Sequence, residues 1–166
     1  MEINTIFTTL ITKIKPEFAF NEKAAMKIYT PLIKEIASST NWLEEKHFQV
    51  TDTTLGFNDH LIYETENHTM VVLLTTWLPG RGYPPHNHGT WSISASIVGT
   101  EVHTLWKQQD KTLCQVGKII CAPGEVVALP HDTIHSVANE TDKLAISLHL
   151  YGQHPEHTNR QHFKII

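Results

Sequence analysis

From Phe48 onward, apolar and polar residues alternate with a period of two between turn signals that recur at short, even intervals, and no helix of useful length can be written there. β-Branched and aromatic residues fill the alternating stretches, as suits a pleated, half-buried surface. The spacing predicts strands at 60–65, 69–77, 91–98, 101–108, 111–116, 125–129, 134–138 and 143–151, with a short last one near 161–165. Turns fall between them at Glu66-Asn67, Pro79-Gly80, Val98-Gly99, Gln109-Asp110, Pro123-Gly124 and Glu140-Thr141-Asp142, residue types that tolerate turn geometry. About eight strands at this spacing suit a sandwich or jelly-roll barrel and not a parallel sheet.

The first quarter obeys another period. Between Asn21 and Ser38, apolar residues fall at Ala24, Ala25, Ile28, Leu32, Ile33 and Ile36, one stripe of a helix. Asn21 is placed to cap it, and Pro31 is expected to kink or divide it. A shorter helix is expected around Thr5 to Ile14. The stripes read as packing surface, so residues 1–45 form a helical segment laid on a β-barrel of residues 46–166. With 166 residues, 40% of them hydrophobic, the chain can bury one sizeable core but is short for two ordinary domains.

Lys and Arg number 13 against 17 Asp and Glu, a net charge of -4, so no global positive field exists to hold nucleic acid or an anionic membrane. The longest apolar runs, such as Val71 to Leu74 and Val126 to Leu129, fall far short of the roughly 20 residues of a membrane-spanning helix. The N-terminus alternates and carries Glu2 early, unlike a secretory signal, which leads us to expect a cytoplasmic protein, monomeric or homodimeric. Cys114 and Cys121, seven apart, form no CxxC pair and read as free, buried or half-buried thiols.

Histidine is the unusual count: 12 residues, against only two arginines, Arg81 and Arg160. In the run Gly80-Arg81-Gly82-Tyr83-Pro84-Pro85-His86-Asn87-His88, two histidines at i and i+2 on an extended segment share a face and can converge on one ion. Further on, GEVVALPHDTIHSVAN (124–139) places His135 at a strand start after a tight turn, where it can add a third ligand from across a small barrel.

These two stretches resemble the paired motifs of the cupin superfamily. Gly80, His86, His88 and Gly99 match the first motif, and Gly124, Pro130, His135 and Asn139 the second. Where the first motif usually has a glutamate ligand this chain has Ser92, and Asp132 stands at the second motif's middle glycine. The resemblance implies a mainly β fold, a cupin jelly-roll barrel (double-stranded β-helix) with short N-terminal helices, and a centre of three neutral histidines.

Such a centre is similar to that of the thiol dioxygenases, the cysteine dioxygenase and 3-mercaptopropionate dioxygenase group. Trp77, the run His86 to Trp91, the HSVAN run at His135 and the string Ser147-Leu148-His149-Leu150-Tyr151 all resemble that family, over roughly Leu61 to Gly152. In it the last string supplies a Ser-His-Tyr relay beside the iron. Read from the residues alone, Ser147, His149 and Tyr151 make one face of a strand wholly polar, and Ile146, Leu148 and Leu150 make the other apolar. The polar face belongs either in solvent or in a polar cavity, because three groups about 6.7 Å apart would cost several kcal/mol in an apolar core.

The resemblance implies His86, His88 and His135 as ligands of Fe(II), which leaves positions opposite for a thiol substrate and O2. With no carboxylate ligand the ion would keep its +2 charge and hold the substrate as thiolate. Both oxygen atoms would go to sulfur, giving a sulfinate, with Tyr151, His149 and Ser147 as the catalytic row. Family members hold the substrate carboxylate with an arginine that is absent from the matching stretch Asn58-Asp59-His60-Leu61-Ile62-Tyr63. Arg81, Arg160 or His60 could replace it, or the substrate could be an aminothiol. Some members carry a Cys-Tyr crosslink, but Ile93 stands at that place, so Tyr151 is expected unmodified.

His60, Tyr63, Trp77, Arg81, Tyr83 and Trp91 are candidate pocket residues, Trp77 and Trp91 reading also as core, and His131 could line the barrel mouth. His47, His68, His103, His154, His157 and His162 read as surface or loop residues. Two further readings keep the fold: a three-histidine dioxygenase acting on a non-thiol such as a diketone, and a metal-binding module without catalysis.

Overall fold

The alternating part of the chain becomes two antiparallel sheets in the computed structural model, which describes residues 3–165. Two helices come first, α1 (Ile3–Lys13) and α2 (Glu22–Ala37). The strands follow as β1 (Phe57–Glu64), β2 (Val71–Trp77), β3 (Gly82–His86), β4 (Ser92–Val98), β5 (Glu101–Gln109), β6 (Thr112–Cys121), β7 (Val126–Leu129), β8 (Ile134–Ala138) and β9 (Ala145–Tyr151). One sheet has the order β1-β2-β9-β4-β7 and the other β3-β8-β5-β6, the cupin jelly-roll arrangement. Among the described residues, no helix is long and apolar enough to cross a membrane.

The period-two pattern decides which side of the five-stranded sheet meets what. Ile146, Leu148 and Leu150 of β9, Ile93, Ala95 and Ile97 of β4, and Val72 and Leu74 of β2 pack with Leu10, Tyr29, Leu32, Ile33 and Ile36 of the helices. Each aliphatic side chain buried there contributes about 1.5–3 kcal/mol. The same alternation turns Ser147, His149 and Tyr151 to the inside of the jelly roll. Opposite them in register stand Ser96, Ser94 and Ser92 of β4, small residues that leave room for the two rings.

Several elements depart from the sequence reading, each for a local reason. α2 runs unbroken through Pro31, because the stripe Leu32, Ile33, Ile36 and Ala37 stays buried on the sheet beyond it. Asn21 caps α2 as expected, its side chain accepting from the Ala24 N–H at 3.2 Å. β6 continues past Gly117 to Cys121, with Val116 left out of the pairing opposite Leu105 and Trp106 of β5. In place of a strand at 161–165 there is a single bridge, His162 to His86. The segment before the metal run is itself a strand, β3, and it lies so close to β8 that a Cβ on Gly82 would sit 2.4 Å from the Val137 carbonyl oxygen. His47, read as surface, is buried: its Nδ1 accepts the Glu44 N–H at 3.0 Å in a tight turn packed on β2.

Candidate metal centre

His86 on β3 and His135 on β8 are direct partners across the ladder, which brings their ring centroids to 4.4 Å. His88, two residues on, returns to the same side, 4.9 Å from His86 and 4.7 Å from His135. All three are buried, and one nitrogen from each falls within 4.8 Å of the others. His86 Nδ1 lies 2.8 Å from the Pro84 carbonyl oxygen and His135 Nδ1 3.5 Å from that of Thr133. Those contacts put the proton on Nδ1 and leave each Nε2 lone pair free for an ion.

The trio fits a divalent cation on charge as well as on geometry. Burial above all keeps the imidazoles neutral: His86 is pushed down to about 2, His135 to about 3, and His88 well below its ordinary value. Neutral imidazole is the form that ligates. His86 Nε2 and His88 Nε2 lie 3.1 Å apart, close to the roughly 3 Å between neighbouring ligands that each stand about 2.1 Å from one ion. Ser92, where a fourth carboxylate ligand would be expected, lines the same cavity.

That cavity has a volume of about 450 Å3 and is bounded by Phe57, Asp59, Leu73, Thr75, Trp77, Tyr83, the three histidines and Tyr151, among others. Of the candidate pocket residues, Trp77 and Tyr83 line it. His60, Tyr63, Arg81 and Trp91 do not. Alternation along β1 turns Asp59 inward and His60 away, against His47 at 5.3 Å, and a bulge after Leu61 sends Tyr63 to the helix-side core. Arg81 is exposed on the β2–β3 turn, its aliphatic stem folded over Gly56. Trp91 faces the helices, stacked on Tyr29 at 6.0 Å, with its Nε1–H donating to the Phe18 and Ala19 carbonyls. His131 lies outside the cavity, 3.1 Å from Glu22.

Two histidines read as surface or loop residues belong here, together with Arg160, one of the three candidates for the missing cation. His103 on β5 is 2% exposed and lines the cavity, 5.6 Å from the His135 ring. His154 lines the cavity mouth, and Arg160 arrives on the segment after β9, its guanidinium 4.6 Å over the Tyr83 ring. His68 and His157 stack on each other at 4.0 Å, near the mouth.

The row on β9 is bonded end to end. Tyr151 Oη lies 3.3 Å from His149 Nδ1, and His149 Nε2 lies 2.8 Å from Ser147 Oγ. The Tyr151 ring meets that of His88 edge-on at 5.0 Å, so the row ends at the histidine trio. Ser147 in turn donates to Glu101, a residue the sequence reading passed over. Glu101 is 1% exposed, accepts the Trp77 Nε1–H at 3.1 Å, and lies 2.8 Å from His103 Nε2. Its burial raises its pKa, but the His149 and His103 charges and bonds outweigh this and hold the carboxyl well below its usual range; Glu101 in return raises His149 against the pull of burial. Burial keeps Tyr151 a phenol. The one signal in the sequence was Glu101 and His103 at i and i+2 directly after the Gly99 turn, ionisable groups on the face that Leu105 continues.

No protein-family profile and no curated protein matches this chain. Solved structures do. TT1209 from Thermus thermophilus superposes with a TM-score of 0.52 at 18% identity, over 67% of this chain and 95% of that one. An oxalate oxidase bound to the substrate analogue glycolate gives 0.56 at 15% identity, over 72% of this chain and 61% of that one. Bacillus subtilis oxalate decarboxylase, a protein with Mn(II) centres, gives 0.51 at 20% identity, over 64% of this chain and 28% of that one. The chain thus spans less than two thirds of both oxalate enzymes, and what the likeness establishes is the cupin fold, in which this chain's own residues form a buried three-histidine group.

Proposed function

We propose that the protein is a mononuclear non-haem Fe(II) dioxygenase that joins O2 to a small thiol, RSH + O2 giving the sulfinic acid RSO2H. The observation that carries this reading is the buried Ser147-His149-Tyr151 row ending at an all-histidine centre. A purely structural or storage site has no need of an oriented phenol at that place. His86, His88 and His135 would hold the iron, which supplies an electrophilic site for thiolate and dioxygen once bound.

The chain's own residues set the rest. Neutral imidazoles add no negative charge, so a bound Fe(II) would keep its +2 charge and would favour a thiol beside it as thiolate. Tyr151 stays protonated and can donate a hydrogen bond at the histidine end. Arg160 supplies the cation that the matching arginine would have given, from another direction: it lines the cavity, and its Nε is buried with no hydrogen-bond partner among the described residues. A substrate carboxylate is the group that satisfies it.

The test is oxygen uptake by protein reconstituted anaerobically with Fe(II), offered cysteine, 3-mercaptopropionate and cysteamine in parallel. Uptake matched mole for mole by sulfinate is expected with a carboxylate-bearing thiol. Silence with all three, despite bound iron, overturns the thiol reading. His135→Ala is expected to lose stoichiometric iron, read by metal analysis after gel filtration.

A further inference from the structure

Glu101 stands outside the three-histidine group, yet it is a carboxylate 1% exposed at the foot of the row that ends in Tyr151. An ionised carboxylate only accepts hydrogen bonds, and this fixes the sense of every bond above it. Trp77 Nε1–H donates to Oε2 at 3.1 Å, and the single Ser147 hydroxyl hydrogen goes to the same oxygen. Ser147 Oγ is therefore left as an acceptor, and the 2.8 Å contact from His149 Nε2 must carry a hydrogen on nitrogen. His149 Nε2 is also 3.4 Å from Glu101 Oε2, near enough for the carboxylate to favour an imidazolium.

The consequence is felt at the far ring nitrogen, 3.3 Å from Tyr151 Oη. If Nδ1 is bare, Tyr151 spends its hydrogen on it and offers the cavity only lone pairs. If Nδ1 carries a hydrogen, it donates to Tyr151 Oη, and the phenolic hydrogen is released toward the cavity. We propose that Glu101, acting through Ser147 and His149, is the positioning residue that makes Tyr151 a hydrogen-bond donor toward the histidine trio. No bond is made or broken in the row; the phenolic hydrogen stays on its oxygen and only its direction is set. The other charged group facing His149 is Asp59, which lines the cavity and favours the same protonated form.

The inference rests on the reading of Tyr151 given above, and its first test is independent of turnover. In zinc-loaded full-length protein with 15N-labelled histidine, the His149 ring is read by NMR at pH 6.5, where a free imidazole is half protonated. More than half of His149 is expected doubly protonated in the unmodified protein, in Tyr151→Phe and in Glu101→Asp, and less than half in Glu101→Gln. A neutral His149 in the unmodified protein overturns the proposal even if Glu101→Gln fails to fold, and so does an unchanged His149 in Glu101→Gln.

The second test uses turnover of the iron-loaded enzyme. Glu101→Gln and Tyr151→Phe are each expected to lower kcat by about 10- to 100-fold. The double variant should fall no further than Tyr151→Phe alone. Multiplied losses would assign Glu101 a merely structural part. Absence of turnover with every thiol, while His149 behaves as stated, would sink the thiol reading and leave the positioning role standing.

Discussion

At the scale of single residues, the histidine trio and the row beside it were legible because HxH and S-L-H-L-Y put like groups on one face of a strand and the 124–139 run set His135 at a strand start across the barrel. What was not legible is which polar groups on other strands face the same way. Glu101 and His103 look like ordinary strand polarity until β5 is known to pair with β8, next to His135. Arg160 could be named only as one of three substitutes, since nothing local says that the segment after β9 returns over Tyr83. Arg160→Leu is expected to raise KM for carboxylate-bearing thiols by about 10- to 100-fold with a smaller change in kcat, and to leave cysteamine unaffected, as steady-state oxygen uptake would show. Asn139, quoted from its motif without a role, proves to be a buried clamp. Its amide donates to the Leu78 and Lys143 carbonyls at 3.2 and 2.6 Å, and its carbonyl oxygen accepts from Thr141. Asn139→Ala should cost about 2–3 kcal/mol in urea denaturation, because several buried backbone groups lose their partner together.

At the scale of elements, period two identified eight of the nine strands within a few residues and misjudged their ends. The strand expected at 111–116 runs on through Gly117, because Val116 bulges out of the ladder and pairing resumes beyond it. Pro31 read as a break, yet burial of the stripe on both sides outweighs one missing backbone bond. β3, with its two prolines, lacks the composition of a strand and pairs only because it is held against β8. Trp91 shows the limit of proximity in sequence: three residues after His88, it points the opposite way and fastens the helices to β4. Trp91→Phe is expected to lower stability by about 1–3 kcal/mol, through loss of the indole bonds to Phe18 and Ala19, while metal stoichiometry stays that of the unmodified protein.

At the scale of the whole molecule, a sheet with one apolar and one polar side obliges the chain to supply two different covers. The helices take the first, and the second sheet with the segment after β9 takes the other. Enclosing three imidazoles in this way makes the metal-free fold sensitive to acid. Their folded pKa values lie below the unfolded value of about 6.5, so below that pH the unfolded chain binds more protons and stability falls as pH falls. The loss continues until each folded group titrates, about 3 for His135 and about 2 for His86. His149, shifted upward, works in the opposite sense over the first part of this fall, while its unfolded form is still taking up its proton, and offsets a small part of the loss. Urea midpoints in the presence of chelator should report roughly 3–4 kcal/mol lost between about pH 7 and pH 5.5, and saturating metal should restore most of it. The segment after Tyr151 has a different bearing. It brings His154, Pro155, Glu156 and Arg160 to the cavity wall and is fastened there by the His154 N–H to the His68 carbonyl, by paired bonds between Asn87 and Gln161, by the His162 bridge and by the Phe163 N–H to the Pro85 carbonyl. A dozen residues contiguous in the gene thus form the threshold that a ligand crosses, while the ion is kept by strands far upstream, and descendants of this chain can be expected to diverge in what they admit well before they diverge in what they do to it.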